Sequence, residues 1–371
     1  MTPLREQIVE LSKRFLAVPT APYREQHIRE FIIDFCKQRS LEYKQDDVGN
    51  LIVTYGKEYK NTVFAFEAHM DHPGFIAEKD SARNRLTALF YGGVNKEYFK
   101  NSRAVFFTQS GPVKAVVTKT EFEKKFPRRR CWLRAEGAVP AGTLGMWDLP
   151  ACRIRGDRLY SRACDDLAGC ISVLSLLDEL HRRRIRKKVM AIFTVAEEAG
   201  FQGAIHLCVK KRIPKNTNLI AIETSSELPT AKIGDGVVIR VGDRRSIFTP
   251  GLTAFLTDTA QTLLSRDKTF QYQRKLMDGG VCESMVYNRF GYTNAAVCIP
   301  LGNYHNRNRK TKKIAAEYVS LSDLENMVKL FVAIVKNSEK AKHLIKNTPP
   351  TYKHTTGKLG EFFYHQQKPI L

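Results

Sequence analysis

Short apolar segments alternate with amphipathic segments of helical spacing through the second half of this chain. The predicted strands cover residues 189–195, 218–222, 269–274 and 295–299. The predicted helices cover about residues 166–183, 203–211 and 253–265, and a further long helix opens at the capping box Ser322-x-x-Glu325. Because parallel strands need helical connections, this alternation predicts an α/β fold with a mainly parallel sheet that helices cover.

The first half of the chain has a different pattern. Helices are predicted after the cap Thr2-Pro3 and at about residues 24–38, and strands at 51–54 and 62–68. From about residue 76 to residue 162, short Val-, Phe- and Thr-rich segments alternate with glycine-containing turns, which indicates a small inserted β domain, barrel-like in character. The predicted division is one domain from residues 1–75 and 160–345, an inserted β domain at 76–159 and a basic C-terminal tail at 346–371.

The composition limits the class of protein. The chain has 371 residues, of which 43% are hydrophobic, so it can bury a sizeable core, which excludes a disordered or fibrous protein. Eight scattered cysteines without a Cys-x-x-Cys pair favour reduced thiols over a disulfide scaffold or a zinc ribbon. Because the amino terminus has no apolar leader and no apolar run is long enough to span a bilayer, a cytoplasmic protein without a membrane partner is expected.

Polar residues follow directly after several of the predicted apolar strands, and an acidic pair precedes a predicted helix. These residues are His69, Asp71, Asp165, Asp166, Glu197, Glu198, Glu223 and His305. Since the carboxyl ends of parallel strands meet at one edge of a sheet, the side chains are expected to converge there. Imidazole and carboxylate ligands suit zinc, cobalt or manganese, and the surplus of carboxylates favours two ions over one structural zinc. Taken singly, these residues also fit helix caps or solvated surface pairs.

Three sequence motifs carry a resemblance to a known family. They are Ala68-His69-Met70-Asp71-His72-Pro73-Gly74-Phe75, Ala163-Cys164-Asp165-Asp166-Leu167-Ala168-Gly169 and Phe193-Thr194-Val195-Ala196-Glu197-Glu198-Ala199-Gly200-Phe201-Gln202-Gly203-Ala204. The motifs resemble those of the M42 family of co-catalytic metallo-aminopeptidases, and the resemblance covers most of residues 1–340. Asp165 follows His69 by 96 positions, as in M42 enzymes, whereas the related M20 enzymes keep this interval short.

The resemblance implies a set of metal ligands. Asp165 would bridge two divalent ions, with Zn²⁺ favoured and Co²⁺ or Mn²⁺ as alternatives. His69 and Glu223 would complete one site, and Glu198 and His305 would complete the other.

The resemblance also implies how the remaining polar residues act. Glu197 would be the general base that takes a proton from the attacking water. Asp71 would hold the imidazole tautomer of His69. A cis peptide between Asp165 and Asp166 is a further feature that the family implies.

Two segments near the predicted site need separate comment. Gly279 and Gly280 match a glycine-containing loop that lines the substrate pocket of the family, although a plain turn is the alternative interpretation. Glu223 stands where the family usually has Asp, so an altered metal affinity or preference is expected at a working site.

The segment after His305 departs from the family pattern. Asn306 and Arg307 replace the usual Thr/Ser-Pro continuation. One hypothesis is that Arg307, Arg309 or Lys310 reaches the cleft and favours acidic side chains, and a solvated basic loop is the alternative.

The predicted function is the release of amino-terminal residues from peptides by a dinuclear-metal aminopeptidase. A deacylase or amidase of the M20 type, acting on N-acyl or amide substrates, is the alternative, and a non-catalytic basic scaffold is a third possibility. The resemblance implies a homo-oligomer that is based on dimers and often dodecameric, with contacts made by the β insertion.

A strong basic excess raises a second question about partners. The formal net charge is +22, with basic clusters at residues 124–130, 182–188 and 210–212. These clusters lack interleaved aromatic residues and a recognition module, so nucleic-acid binding is an unfavoured addition to catalysis.

Overall fold

The computed structural model describes residues 2–60, 63–81, 84–123 and 128–341. The α-helices are α1 (Pro3–Phe15), α2 (Gln26–Gln38), α3 (Leu167–Arg182), α4 (Gln202–Val209), α5 (Pro250–Arg266), α6 (Ser284–Arg289) and α7 (Leu321–Lys336). The strands are β1 (Glu42–Gln45), β2 (Leu51–Tyr55), β3 (Phe64–His69), β4 (Gly74–Ala77), β5 (Arg85–Tyr91), β6 (Arg103–Thr108), β7 (Gly111–Glu123), β8 (Arg128–Ala135), β9 (Leu144–Trp147), β10 (Arg153–Arg155), β11 (Arg158–Ser161), β12 (Val189–Thr194), β13 (Asn218–Ser226), β14 (Val237–Asp243), β15 (Tyr272–Met277), β16 (Asn294–Leu301), β17 (Arg307–Asn308), β18 (Lys313–Ile314) and β19 (Glu317–Ser320). Short 3-10 helices lie at Lys96–Tyr98 and Tyr304–Asn306.

An eight-stranded sheet forms the centre of the α/β part, in the order β1-β2-β12-β3-β13-β16-β14-β15. The four central strands, from β12 to β16 in this order, run parallel to one another. Their residues are buried along nearly their whole length, as expected for strands that helices cover on both faces. The carboxyl ends of these four strands therefore meet at one edge of the sheet.

Helices cover this sheet on both faces. One face packs on α1, α2, α3, α5 and α7, with Phe66 and Phe331 in ring contact at 4.8 Å. The other face packs on α4 and α6 through Leu207, Met285 and Tyr287. The α/β fold class predicted from the alternating segments is confirmed.

Six strands close into a barrel, in the order β4-β5-β8-β7-β6-β9. Its interior is aromatic, and the indole of Trp147 contacts the rings of Phe75, Phe90 and Phe99 at centroid distances of 4.8–5.4 Å. A side chain at Gly145 would lie 2.8 Å from the ring of Phe106, so only glycine fits at this strand position. The predicted barrel-like insertion is therefore present, whereas the exact domain limits stay a prediction.

The position of the barrel in the chain keeps the candidate ligands close to it. Four residues separate the end of β3 from the start of β4, and the chain returns from the barrel through β10 and β11 to Asp165. Strand β9 is shared, because Leu144 and Met146 pack into the core of the α/β part while Trp147 points into the barrel. The barrel thus packs directly beside the edge of the sheet where the predicted ligands lie.

The first residues of α1 and α7 can be compared with the caps that the sequence predicts. Thr2 caps α1 as predicted, since its side chain accepts the amide of Arg5. The predicted capping box at Ser322 is wrong: Ser320 caps α7 by accepting the amide of Asp323, and Ser322 instead bonds to Asp157. A strand ladder that extends to Ser320 places that residue, two positions earlier, at the start of the helix.

All eight cysteines are free, as the sequence predicts, and seven of them are buried. Among the described residues, no helix combines the length and the apolar character needed to cross a membrane. The predicted basic tail at 346–371 and residues 124–127 of the first basic cluster lie outside the described residues.

Candidate metal centre

The predicted ligands lie together at the carboxyl edge of the central strands. His69 ends β3, Glu198 follows β12, Glu223 lies within β13, and His305 follows β16. Asp165 reaches the same place from the segment that precedes α3. Two groups result, in which the possible ligand atoms lie within 4.8 Å of one another: His69, Asp165 and Glu223, and Asp165, Glu198 and His305.

Asp165 is shared by both groups. Its Oδ1 lies 3.5 Å from Nε2 of His69, and its Oδ2 lies 3.5 Å from Nε2 of His305. Two ligand atoms on one tetrahedral zinc, each about 2.1 Å from the metal, are about 3.4 Å apart. The distance from each oxygen of this buried carboxylate to the nearby imidazole nitrogen is therefore close to the distance between two ligand atoms of the same ion.

Backbone contacts fix the orientation of both imidazoles. Nδ1 of His69 donates to the carbonyl oxygen of Asp71 at 3.1 Å, and Nδ1 of His305 donates to the carbonyl oxygen of Gly93 at 3.2 Å. In the neutral rings, Nε2 then presents a lone pair to carboxylate oxygens, including Oε1 of Glu198 at 2.9 Å from His305. Lone pairs that face carboxylates repel unless a cation lies between them, and Nε2 of His305 is buried without a hydrogen-bond partner. The donor set thus fits divalent ions.

The two adjacent glutamates face different imidazoles. Glu198 lies beside His305, whereas Oε2 of Glu197 lies 4.0 Å from Nε2 of His69. Asp71 holds the turn that carries them, because its two carboxylate oxygens accept the amides of Glu197 and Glu198 at 3.0 Å each. Its carboxylate is 3.5 Å from Nδ1 of His69, so the backbone carbonyl of Asp71 makes the closer contact with the ring.

The peptide bond between Asp165 and Asp166 is cis, as the family resemblance implies. Oδ1 of Asp166 accepts the hydroxyl of Thr224 at 2.8 Å, and Oε2 of Glu317 accepts the amides of Cys164 and Asp165. The side chain of Asp166 packs directly on α3, where a Cβ at Gly169 would lie 2.0 Å from its Oδ2. Buried hydrogen bonds therefore hold the whole segment that carries the shared carboxylate.

Burial and mutual charge shift the titration of the site. Burial raises the pKa of Glu223 to about 8, against the opposing charge of His69. Burial also raises the pKa of Glu197 well above its ordinary value, again opposed by His69. Burial alone would raise the pKa of Asp165, but in the protein without metal the interactions with protonated His305 and His69 outweigh it and hold that pKa below the usual range. Groups of similar chemistry thus differ in proton affinity across a few ångströms, as is common at catalytic sites.

A cavity of about 270 Å³ opens beside Glu223. The predicted pocket residues Gly279, Gly280 and Arg307 line it together with Arg309. Arg307 is fixed at its position by bonds to the carbonyl of Tyr304 and to the side chain of Asn95.

Sequence reasoning missed Arg240, which also lines this cavity from β14. The residue is 2% exposed, its Nη1 donates to Ser225 at 3.3 Å, and its Nε has no hydrogen-bond partner. The sequence did contain a signal, since a single arginine interrupts the apolar run from Val237 to Val241. A buried charge in such a run is rarely present without a function or a partner.

Sequence reasoning also missed polar side chains behind the candidate ligands. Glu67 and Glu283 are buried, and the hydroxyl oxygen of Thr194 lies 3.0 Å from Oε1 of Glu67 and 2.9 Å from Oε2 of Glu283. The single hydroxyl proton can be donated to only one of these carboxyls, so the other fits as a protonated acid that donates to Thr194. Burial raises the pKa of Glu67 to about 7 and that of Glu283 well above its ordinary value. A further group of Asp46, Asp47 and His206 lies outside the site. Asp47 of this group forms an ion pair with Arg212, which compensates the negative charge of Asp47.

The family comparison covers more than half of the chain. The sequence profile of the M42 glutamyl aminopeptidase family matches residues 134–330. A protein of Acetivibrio thermocellus assigned as an aminopeptidase is 26% identical over 346 residues, which are 89% of this chain and 99% of that protein. The glutamyl aminopeptidase of Lactococcus lactis subsp. cremoris is 26% identical over 67% of this chain and 79% of its own length. The lysyl aminopeptidase of Pyrococcus furiosus is 22% identical over 88% and 96%.

Solved structures share the fold. An aminopeptidase from the archaeon Desulfurococcus kamchatkensis superposes with a TM-score of 0.76 at 21% identity, over 93% of this chain and 99% of that one. The TET1 peptidase of Pyrococcus horikoshii gives a TM-score of 0.70 at 24% identity, over 88% and 99%. The chain therefore belongs to the M42 aminopeptidase family, whose members are hydrolases that act on peptide bonds.

Proposed function

We propose that the protein is a dinuclear-metal aminopeptidase in which Asp165 bridges two divalent ions. The observation that carries this proposal is the placement of the two Asp165 oxygens, each 3.5 Å from Nε2 of a different histidine. Glu223 completes the site with His69, and Glu198 completes the site with His305. Zinc is the favoured ion, with cobalt or manganese as alternatives.

The bound ions would supply Lewis acidity toward the scissile carbonyl and lower the pKa of an attacking water. Glu197 is the general base: it accepts the proton of that water and delivers it to the amine that leaves. Burial raises the pKa of Glu197 above its ordinary value, which is the direction that favours proton uptake by a carboxylate base. Asp71 keeps Glu197 and Glu198 on one rigid turn, so the base and the adjacent ligand keep their separate directions.

The lining of the cavity supports acidic side chains as the preferred amino-terminal residues. Arg240 is buried with an unpartnered Nε, and Arg307 and Arg309 add positive charge at the same cavity. Relatives carry names for opposite charges, glutamyl in Lactococcus lactis and lysyl in Pyrococcus furiosus, so the family alone leaves the preference open. Three arginines at one cavity favour a carboxylate and oppose an ammonium group.

Substitution of Arg240 tests this preference. We expect Arg240→Gln to lower kcat/KM for Glu-peptides by about 100-fold or more relative to the isosteric Gln-peptides, since loss of a buried charge partner has a large effect. The ratio of the two substrates removes any common effect on the nearby ligand Glu223. Lys268→Gln, an exposed control, should leave the ratio unchanged. An unchanged ratio in Arg240→Gln would remove the acidic preference, and Arg307→Ala with Arg309→Ala tests the two outer cations in the same way.

The reaction itself is tested with matched peptides. Short peptides with free and with N-acetylated amino termini are incubated with protein loaded with zinc, cobalt or manganese. Release of amino acids from free termini alone is expected. Cleavage of only the blocked peptides would assign the protein as a metal-dependent deacylase of the M20 type instead.

The assembly and the remaining predictions also stay proposals. The Pyrococcus horikoshii TET1 peptidase assembles into a tetrahedron or a large octahedral shell. We propose a homo-oligomer built from dimers, up to a dodecamer, with the inserted β domain forming contacts and limiting substrate access. Light scattering after size-exclusion chromatography tests it, and a monomer at working concentration would contradict it. The cytoplasmic location and the unfavoured binding of nucleic acid stay predictions.

A further inference from the structure

His72 connects the two segments that carry the second group of ligands. The ring is fully buried, its Nδ1 donates to the carbonyl oxygen of Asp165 at 2.5 Å, and its Nε2 lies 3.0 Å from Oδ1 of Asn306. Asn306 directly follows His305 in the chain. One ring therefore joins the backbone of the shared carboxylate to the residue beside the histidine ligand.

The orientation of Asn306 is determined by a second contact. Its Nδ2 donates to the carbonyl oxygen of Arg162 at 3.0 Å, so its Oδ1 must face the ring of His72. Both ring nitrogens of His72 thus lie within hydrogen-bond distance of an oxygen atom of one of the two segments. Oε2 of the buried side chain of Glu317 accepts the amides of Cys164 and Asp165, which holds the same segment from the other side.

The backbone beside His305 needs such support. His305 and Asn306 both have left-handed conformations, with φ angles of 54° and 60°. This region is uncommon for residues other than glycine, and such a conformation persists when its surroundings hold it. The side-chain bonds of Asn306 and the bond from the amide of Ala315 to its carbonyl provide that hold.

We propose that His72 and Asn306 form a clamp that sets the position of His305 relative to Asp165 and thereby controls the affinity of the second ion site. The inference rests on the proposed dinuclear function. The clamp makes no contact with Glu223, and the ring of His69 is held separately by the carbonyl of Asp71. His72 and Asn306 are therefore positioning residues. The bond between His72 and Asn306 acts on the second site, whereas the bond between His72 and Asp165 also acts on the shared ligand.

Two substitutions of His72 separate the two arms of the clamp. Asn at position 72 places an amide nitrogen near the former Nδ1 and keeps the bond to Asp165 alone. Gln places it near the former Nε2 and keeps the bond to Asn306 alone. His72→Asn should therefore act like Asn306→Ala, while His72→Gln should weaken both sites through the shared Asp165.

Metal titration of the metal-free full-length protein is the test. Calorimetry with Mn²⁺ should give two sites in the wild type. In Asn306→Ala and His72→Asn the second site should weaken by about 10- to 100-fold with the first unchanged, the usual range for residues that orient ligands. Turnover should recover when Mn²⁺ is raised by the same factor, which a general folding defect would not allow. Asn308→Ala is the matched control, because Asn308 lies on the same loop and bonds only to local amides.

The outcomes are distinguishable. A wild type that binds fewer than two ions contradicts the dinuclear function and the clamp together. Two ions in the wild type with an unchanged second site in Asn306→Ala contradict the clamp alone. Equal weakening of both sites in Asn306→Ala, or no recovery at high Mn²⁺, would show that the residue has a general structural role and would also overturn the proposal.

Discussion

Replacement of Glu25 by glutamine should stabilise the folded protein at alkaline pH. This carboxyl is 4% exposed, and its Oε1 accepts the amides of Tyr23 and Ala196 at 2.9 Å each. Burial, together with the negative charge of Asp71, raises its pKa to about 8 from an ordinary value of 4.5. Glutamine retains the acceptor oxygen for both amides but carries no charge at any pH.

The sign of the effect follows from proton binding. Between pH 4.5 and about 8, folded protein keeps a proton on Glu25 that the unfolded chain has released. The folded state therefore binds more protons in this window, and its free energy of unfolding falls as the pH rises. At 1.36 kcal/mol per pH unit, a raised pKa of this size corresponds to about 5 kcal/mol at pH 8 and above. Below pH 4.5 the variant and the wild type should have equal stability.

Urea unfolding of the metal-free protein between pH 4 and pH 9 measures this difference. The difference in free energy between Glu25→Gln and the wild type should grow across the window and then stay constant. Glu30→Gln, an exposed substitution on α2, is the control and should give a small difference at every pH. Parallel pH profiles for wild type and Glu25→Gln would refute the argument that Glu25 is buried as a neutral acid.

Two further substitutions probe the turn that carries Glu197, the proposed general base. Gly203→Ala should destabilise the fold by about 2 kcal/mol or more in a thermal unfolding assay, because the added Cβ would lie 2.6 and 2.7 Å from backbone atoms of Val195. Gly137→Ala is the control and should be neutral in the same assay, since the nearest atom to its added Cβ lies at 3.6 Å. Asp71→Asn should lower kcat by about 10- to 100-fold at saturating metal, since an amide cannot accept from the backbone of both Glu197 and Glu198. Unchanged turnover of that variant would contradict the role of Asp71 in shaping the turn.

The strand pattern predicted much of the candidate site. Apolar strands that are each followed by a polar residue predict both a parallel sheet and the edge at which its ligands meet. The sequence alone therefore predicts that His69, Glu198 and His305 lie close together. Asp165 was already a candidate because it belongs to the acidic pair before a predicted helix, and the family resemblance added its role as the shared ligand.

Contacts between distant segments could not be predicted in the same way. The bond between His72 and Asn306 joins residues 234 positions apart, and it depends on the carbonyl of Arg162, which no sequence pattern reveals. Arg240 lies in the middle of β14, so a search for functional residues at strand ends does not find it. The start of α7 also depends on strand pairing. Ser320 and Ser322 are both possible caps in the sequence, and the pairing of β19 with β11 extends to Ser320, which is the residue that caps the helix.

The central claim is most directly tested by measuring metal content and peptide turnover in Glu197→Gln. The substitution removes the base and leaves the five predicted ligands intact, with Glu136→Gln as the exposed control. We expect two ions per chain in both variants, wild-type release of amino acids in the control, and a loss of at least about 100-fold in kcat in Glu197→Gln. Undiminished turnover in Glu197→Gln, with two ions bound, would contradict the assignment of Glu197 as the base.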